Sequence, residues 1–133
     1  MLAPYDRREL AAIFCGGIVG ALVRTGLSQA FPVSPGSWPW PTFAVNIVGA
    51  FMLGYFVTRL QERLPTSAYK RSFLGTGVCG ALTTFSTMQV ELFKMVQASR
   101  WGLALSYAAA TIVAGFIALA GATAVVRRVR TVV

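Results

Sequence analysis

The chain has 133 residues, more than half of them apolar, with a formal net charge of +8 and no histidine. A domain this small cannot hide so much apolar side chain from water, which excludes an ordinary soluble fold. The positive surplus invites a nucleic-acid reading, yet Arg7, Arg8, Arg59, Arg63, Lys70, Arg71, Arg127, Arg128 and Arg130 all flank apolar runs and form no basic face interleaved with aromatics. Cations so placed are headgroup anchors, so a membrane protein that binds no nucleic acid is expected.

Four membrane spans follow in chain order, giving an all-α integral membrane protein with a single domain over 1–133. A polar lead, Met1–Glu9, precedes the first span, 10–31, which is too long for a cleaved signal and lacks a small-residue cleavage site. Gly16, Gly17, Gly20 and Ala21 recur there at spacings that let another helix approach closely. A rigid connector, Pro32 to Pro41, places Trp38 and Trp40 at the membrane interface, and Pro41 is suited to open the second span, 41–60. That span carries Asn46, Gly49, Ala50 and Gly54. A basic loop around Pro65 leads to the third span, 72–97, and a short linker at Ala98–Trp101 to the fourth, 101–126. The last is uncharged from Trp101 to Val126, about 39 Å of helix against a hydrocarbon core of roughly 30 Å. An even number of spans puts both termini on one side. That side collects nine of the twelve Lys and Arg, which predicts cytoplasmic termini.

Costly polar groups inside the spans carry the functional signal. Gly75–Gly80 matches a dinucleotide-binding glycine pattern, but no strand precedes it and it lies in an apolar span, so that reading fails. Just beyond, Thr83-Thr84-Phe85-Ser86-Thr87 sets four hydroxyls near mid-membrane, where a broken helix is expected. Unwound backbone at that depth is tolerated only against protein, water or an ion. Asn46 suits equally an interhelical hydrogen bond or a polar path. Phe85 offers a partially positive ring edge that can line an anion path. Tyr107 and Thr111 share one face of the fourth helix. Arg24 either snorkels to water or serves a water-filled vestibule. Glu91 either pairs with Lys94 or faces that vestibule. Cys15 and Cys79 both fall inside spans, where packing accounts for them. No metal-ligand cluster or nucleophile–base pair occurs in the spans, so no enzyme is expected.

At these residues the sequence resembles the Fluc (CrcB-type) fluoride channels over nearly its whole length. Gly16-Gly-x-x-Gly-Ala-x-x-Arg24, Asn46-x-x-Gly49 with Gly54, and Gly77-x-x-Gly80-x-x-Thr-Thr-Phe-Ser-Thr87 with Glu91 carry the resemblance. It implies passive export of cytoplasmic fluoride through the cell membrane by an antiparallel, dual-topology dimer with two pores. It also implies a structural, non-transported sodium ion held by the backbone carbonyls of Gly80 and Thr83. Asn46, Thr84, Phe85, Ser86 and Met88 would line the fluoride path with Tyr107 and Thr111, and Arg24 and Glu91 the vestibule. Met88 stands where the family usually has a second Phe, and Gly115 where a hydroxyl is usual. The lopsided charge fits either insertion in both orientations or pairing with an oppositely oriented paralogue. Two rival readings are a small multidrug-type cation exporter, which would need a buried acid in the first helix, and a non-conducting partner subunit.

Overall fold

The computed structural model describes residues 6–34, 36–62 and 68–129, all in helices and short connections with no strand among them. Arg63, Pro65, Arg130, Pro35 and the first five residues lie outside the described set. Helix α1 spans Arg7–Ala30 and α2 spans Trp40–Glu62. The expected third span, 72–97, is divided. Preceded by one α-turn, α3 (Ala68–Arg71), it comprises a π-helical segment (Ser72–Cys79), a short α-turn, α4 (Gly80–Leu82), two extended residues, and then α5 (Phe85–Gln97). Helix α6 closes the chain over Trp101–Arg128. Among the described residues, α1, α2 and α6 are the helices long and apolar enough to cross a membrane. The molecule is therefore an all-helical integral membrane protein.

Local chemistry sets the ends. The polar lead is shorter than expected, because α1 starts at Arg7 rather than near Leu10. The Arg8 N–H donates to Asp6 Oδ1 at 2.9 Å, and Glu9 in the first turn suits the helix dipole. The Tyr69 hydroxyl donates to Asp6 Oδ2 at 2.8 Å and, with the Arg8 N–H, holds that carboxyl below its ordinary value. Ser72 Oγ donates to Glu9 Oε1 at 2.6 Å, a second tie between the starts of the first and third segments. Helix α2 opens at Trp40, so Pro41 takes the second helical position, where its missing N–H is also no loss. At the end of α5 the Ser99 N–H donates to Val96 O (3.0 Å) and the Arg100 N–H to Met95 O (2.9 Å). This Schellman turn needs left-handed backbone, which Ser99 adopts at φ 58°.

Packing divides the bundle. Helix α1 lies on the π segment and α4, while α2 and α5 both lie on α6. A Cβ on Gly16 would stand 2.3 Å from Phe73 O, one on Gly20 2.3 Å from Val78 O, and one on Gly77 2.8 Å from Ile13 O. These segments therefore meet backbone to backbone, with no room for any other residue type. The space around Gly17 is open, so only the Gly16/Gly20 row of the expected stripe is used. Gly54 gives α2 the same close approach to Leu119 of α6, where Thr58 Oγ1 donates to Thr123 Oγ1 at 3.2 Å. The buried cluster is small: Met88, Met95, Ala104 and Tyr107, flanked by Trp38, Phe43 and Leu92. Phe14, Leu22, Leu105, Phe116 and Ile117 face outward, as suits a solvent as apolar as leucine.

Candidate functional site

The interruption covers two residues, not the five of the hydroxyl stretch. Thr83 (φ −75°, ψ 148°) and Thr84 (φ −146°, ψ 112°) are extended, whereas Phe85 already begins α5. Gly80 is ordinary helix at φ −63°, ψ −37°, so no flexible glycine opens the chain here. What opens it is Asn46. The Thr84 N–H donates to Asn46 Oδ1 at 2.8 Å, and Asn46 Nδ2 donates back to Thr84 O at 3.2 Å. A backbone N–H can only donate, which fixes the amide's orientation and leaves one Nδ2 proton over. One turn on, a Cβ at Gly49 would lie 2.3 Å from Thr83 Cγ2, so the missing side chain makes the pocket for Thr83.

The hydroxyls mostly serve the break itself. Thr84 Oγ1 accepts from the Thr87 N–H at 3.2 Å as the N-cap of α5, and donates to Thr87 Oγ1 at 3.0 Å. Thr83 Oγ1 donates to Cys79 O at 3.0 Å, a helical back-bond. Two carbonyls lose their helical donors as a result. The N–H four residues after Gly80 is that of Thr84, and the one four after Thr83 is that of Thr87. Side chains take both.

The expected path residues separate into two sets. Gly80, Phe85 and Ser86 are exposed on the outer surface, Phe85 to 69 %. Met88, one turn after Phe85, points inward and is buried against Met95, Ala104 and Tyr107. That inner set leads to Glu91, which makes no pair with Lys94. Its Oε1 accepts from Thr42 Oγ1 at 2.6 Å and its Oε2 from the Tyr107 hydroxyl at 2.8 Å. Trp38 packs edge-on against the Tyr107 ring, with centroids 5.4 Å apart. Sequence reasoning missed Thr42 and the inward role of Trp38. Thr42 lies one turn before Asn46 on the same face of α2, a signal that was available. Thr111 Oγ1 donates to Tyr107 O at 2.8 Å, so its proton stays within its own helix. Arg24 is half-buried, and its Nε is buried with no hydrogen-bond partner. The cysteines are free, Cys15 exposed and Cys79 buried.

Fold and site together define a class, the multi-span helical membrane proteins built around a discontinuous helix stabilised by a side-chain amide. The particular family follows from comparison. The family model described as CrcB-like protein, Camphor Resistance (CrcB), matches residues 11–123, and the chain belongs to the CrcB family. It is 60 % identical to the fluoride-specific ion channel FluC 1 of Mycolicibacterium paratuberculosis, over 97 % of this chain and 98 % of that protein. It is 58 % identical to the protein of the same name from Mycobacterium bovis, over 95 % and 96 % of the two chains. The fluoride-specific ion channel FluC of Caulobacter vibrioides is 37 % identical over 91 % of this chain and 97 % of its own.

Proposed function

We propose that this chain is the subunit of a fluoride-selective channel, not an enzyme, that lets cytoplasmic fluoride leave passively through the plasma membrane. The relatives' names and their near-complete coverage support the ion. The chemistry supplies the need: hydrogen fluoride is a weak acid that crosses membranes neutral and leaves its anion trapped inside.

The observation that carries the assembly is the outward-facing break. Gly80 and Ser86 are exposed beside two carbonyls whose helical donors are diverted, and such backbone is not tolerated against hydrocarbon. A second chain covers it, in an antiparallel dimer whose fourth crossing is the pair of stacked half-helices. That partner is a second copy if the chain inserts both ways, and an oppositely oriented paralogue if its charge bias fixes one orientation. The Gly80 and Thr83 carbonyls fit a hard cation such as sodium, which prefers oxygen donors. Bound there, the ion supplies fixed positive charge at the centre of the dimer.

For fluoride, Phe85 presents its ring edge and Asn46 its remaining N–H. Ser86 is the exposed hydroxyl of the break, its Oγ hydrogen-bonded at 3.3 Å to Thr84 Oγ1; the protons of Thr84, Thr111 and Tyr107 are directed to Thr87, the Tyr107 carbonyl and Glu91. Met88, Tyr107 and Thr111 therefore shape the inner wall, while Arg24 and Glu91 belong to the vestibule. A multidrug-type exporter would need a mid-membrane acid in α1; Glu9 sits in the first turn instead and is bonded by Ser72. Vesicles loaded with fluoride or chloride, with release read by ion-selective electrodes, test the reading. Rapid fluoride release with chloride retained is expected, and release no faster than from empty vesicles contradicts it.

A further inference from the structure

A groove of about 470 Å³ opens between the end of α1 and the start of α2, walled by Leu27, Phe31, Trp40, Pro41 and Ala44, with Ser34 and Ser37 of the connector at its rim. A second cavity of about 110 Å³ shares Leu27 and Ala44 with it and carries it inward past Val48 to Leu82, beside the break, with apolar residues alone in its lining. Pro41 to Val48 is about 10 Å of helical rise, against ~15 Å for one leaflet of a ~30 Å hydrocarbon core. The rim lies at headgroup level. Trp38, Trp40 and Trp101, the chain's three tryptophans, all stand at this end of the bundle, and such rings mark the membrane interface. Arg100 leans on the rim: a side chain on Gly36, between Ser34 and Ser37, would meet its Nε at 3.3 Å and its Cζ at 3.7 Å. Arg100 is exposed, and its guanidinium makes no hydrogen bond or ion pair among the described residues. Behind the rim a smaller cavity holds Glu91 and Lys94, one charge of each sign, so the unbalanced charge here is that of Arg100.

We propose that the groove is a binding site for an anionic phospholipid, with one acyl chain laid between α1 and α2 and the phosphate held at the rim by Arg100. The walls are apolar and the rim is polar and cationic, a division that a phospholipid repeats along its own length. A guanidinium presents a fork of donors that matches phosphate. Charge decides against a second copy of the chain as the occupant. An antiparallel partner brings its terminal end, with nine of the twelve Lys and Arg, to this level, where like charge meets Arg100. A lipid phosphate meets it with the opposite charge. The inference needs only the membrane reading, not the identity of the ion conducted.

The full chain carrying Trp101→Phe, in phosphatidylcholine vesicles, tests it, because the two remaining tryptophans both line the groove and bromine on an acyl chain quenches indole fluorescence on contact. Phosphatidylglycerol brominated in mid-chain is titrated in as a fraction of total lipid, beside brominated phosphatidylcholine. Quenching by the anionic lipid is expected to saturate at a low fraction, while quenching by the zwitterionic lipid follows its fraction. Adding Arg100→Gln should raise the half-quenching fraction of the anionic lipid about fivefold and leave the zwitterionic curve unchanged. Adding Ala44→Phe, at an exposed position where the ring fills the groove, should abolish the excess quenching. Equal quenching by the two lipids, or an Arg100→Gln curve that overlays its parent, overturns the proposal. So does an absence of quenching by either lipid, which would mean that protein covers the groove.

Discussion

From Ser72 to Leu82 the third segment meets α1 through Gly16, Gly20 and Gly77, backbone against backbone. From Phe85 to Gln97 it meets α6 through Met88, Met95 and the Tyr107 ring, side chain against side chain. The first half is wound as a π-helix where glycines leave only main chain to pack, and the second is ordinary α-helix with an apolar and a polar face. The contrast shows how a membrane protein can interrupt a helix without losing its place. One half is locked by shape, the other by a core and a hydrogen-bonded carboxylate, and Asn46 joins them at Thr84.

If that division is right, the two halves should fail differently. The largest effect is expected at Gly20→Leu, which drives a side chain into the Val78 carbonyl. Overpacking costs typically ~1–3 kcal/mol and more where only backbone can yield, so size-exclusion chromatography should show aggregate in place of a discrete species. Asn46→Leu comes next. It leaves the Thr84 N–H and C=O unpaired at a cost of about 1–3 kcal/mol each, and should lower both the unfolding midpoint and fluoride release. Glu91→Gln should be milder, because the amide oxygen still accepts from one of the Thr42 and Tyr107 hydroxyls, while the other must turn its proton away and accept from the amide N–H. A double-mutant cycle with Thr42→Val should show coupling of roughly 1 kcal/mol. Met88→Leu, a volume-conserving change in the side-chain half, should cost under ~1.5 kcal/mol. The smallest expected effect is a gain: Ser99→Gly relieves left-handed backbone and should stabilise by at most about 1 kcal/mol, read as a slightly higher thermal midpoint.

Much of the frame was legible in the sequence because lipid makes length and charge unambiguous. The runs beginning near Leu10, Pro41 and Trp101 are helices long enough to cross, and Gly16 and Gly20 are close-approach points. The third run was legible as interrupted, but not in its details. Four hydroxyls suggested a wide opening, whereas their short side chains cap and back-bond the helix and confine the break to Thr83–Thr84. Nothing local announces the π winding of Ser72–Cys79, which arises alongside the tertiary glycine contact with α1. Asn46 could be read as polar, but not as the residue that takes the Thr84 N–H, since that pairing depends on where α2 lies. Spacing offered Glu91 either Lys94 or a vestibule, while the fold supplied Thr42 and Tyr107 from two other helices.

The most direct test of the account is fluoride release from vesicles containing the Phe85→Ile variant, measured beside wild type with the assembly state of both checked in detergent. Ile keeps the bulk at the exposed break and removes the ring edge. Loss of fluoride release with the dimer intact is predicted. Wild-type release from that variant would contradict the claim that the outward face of the interrupted helix is the anion's path.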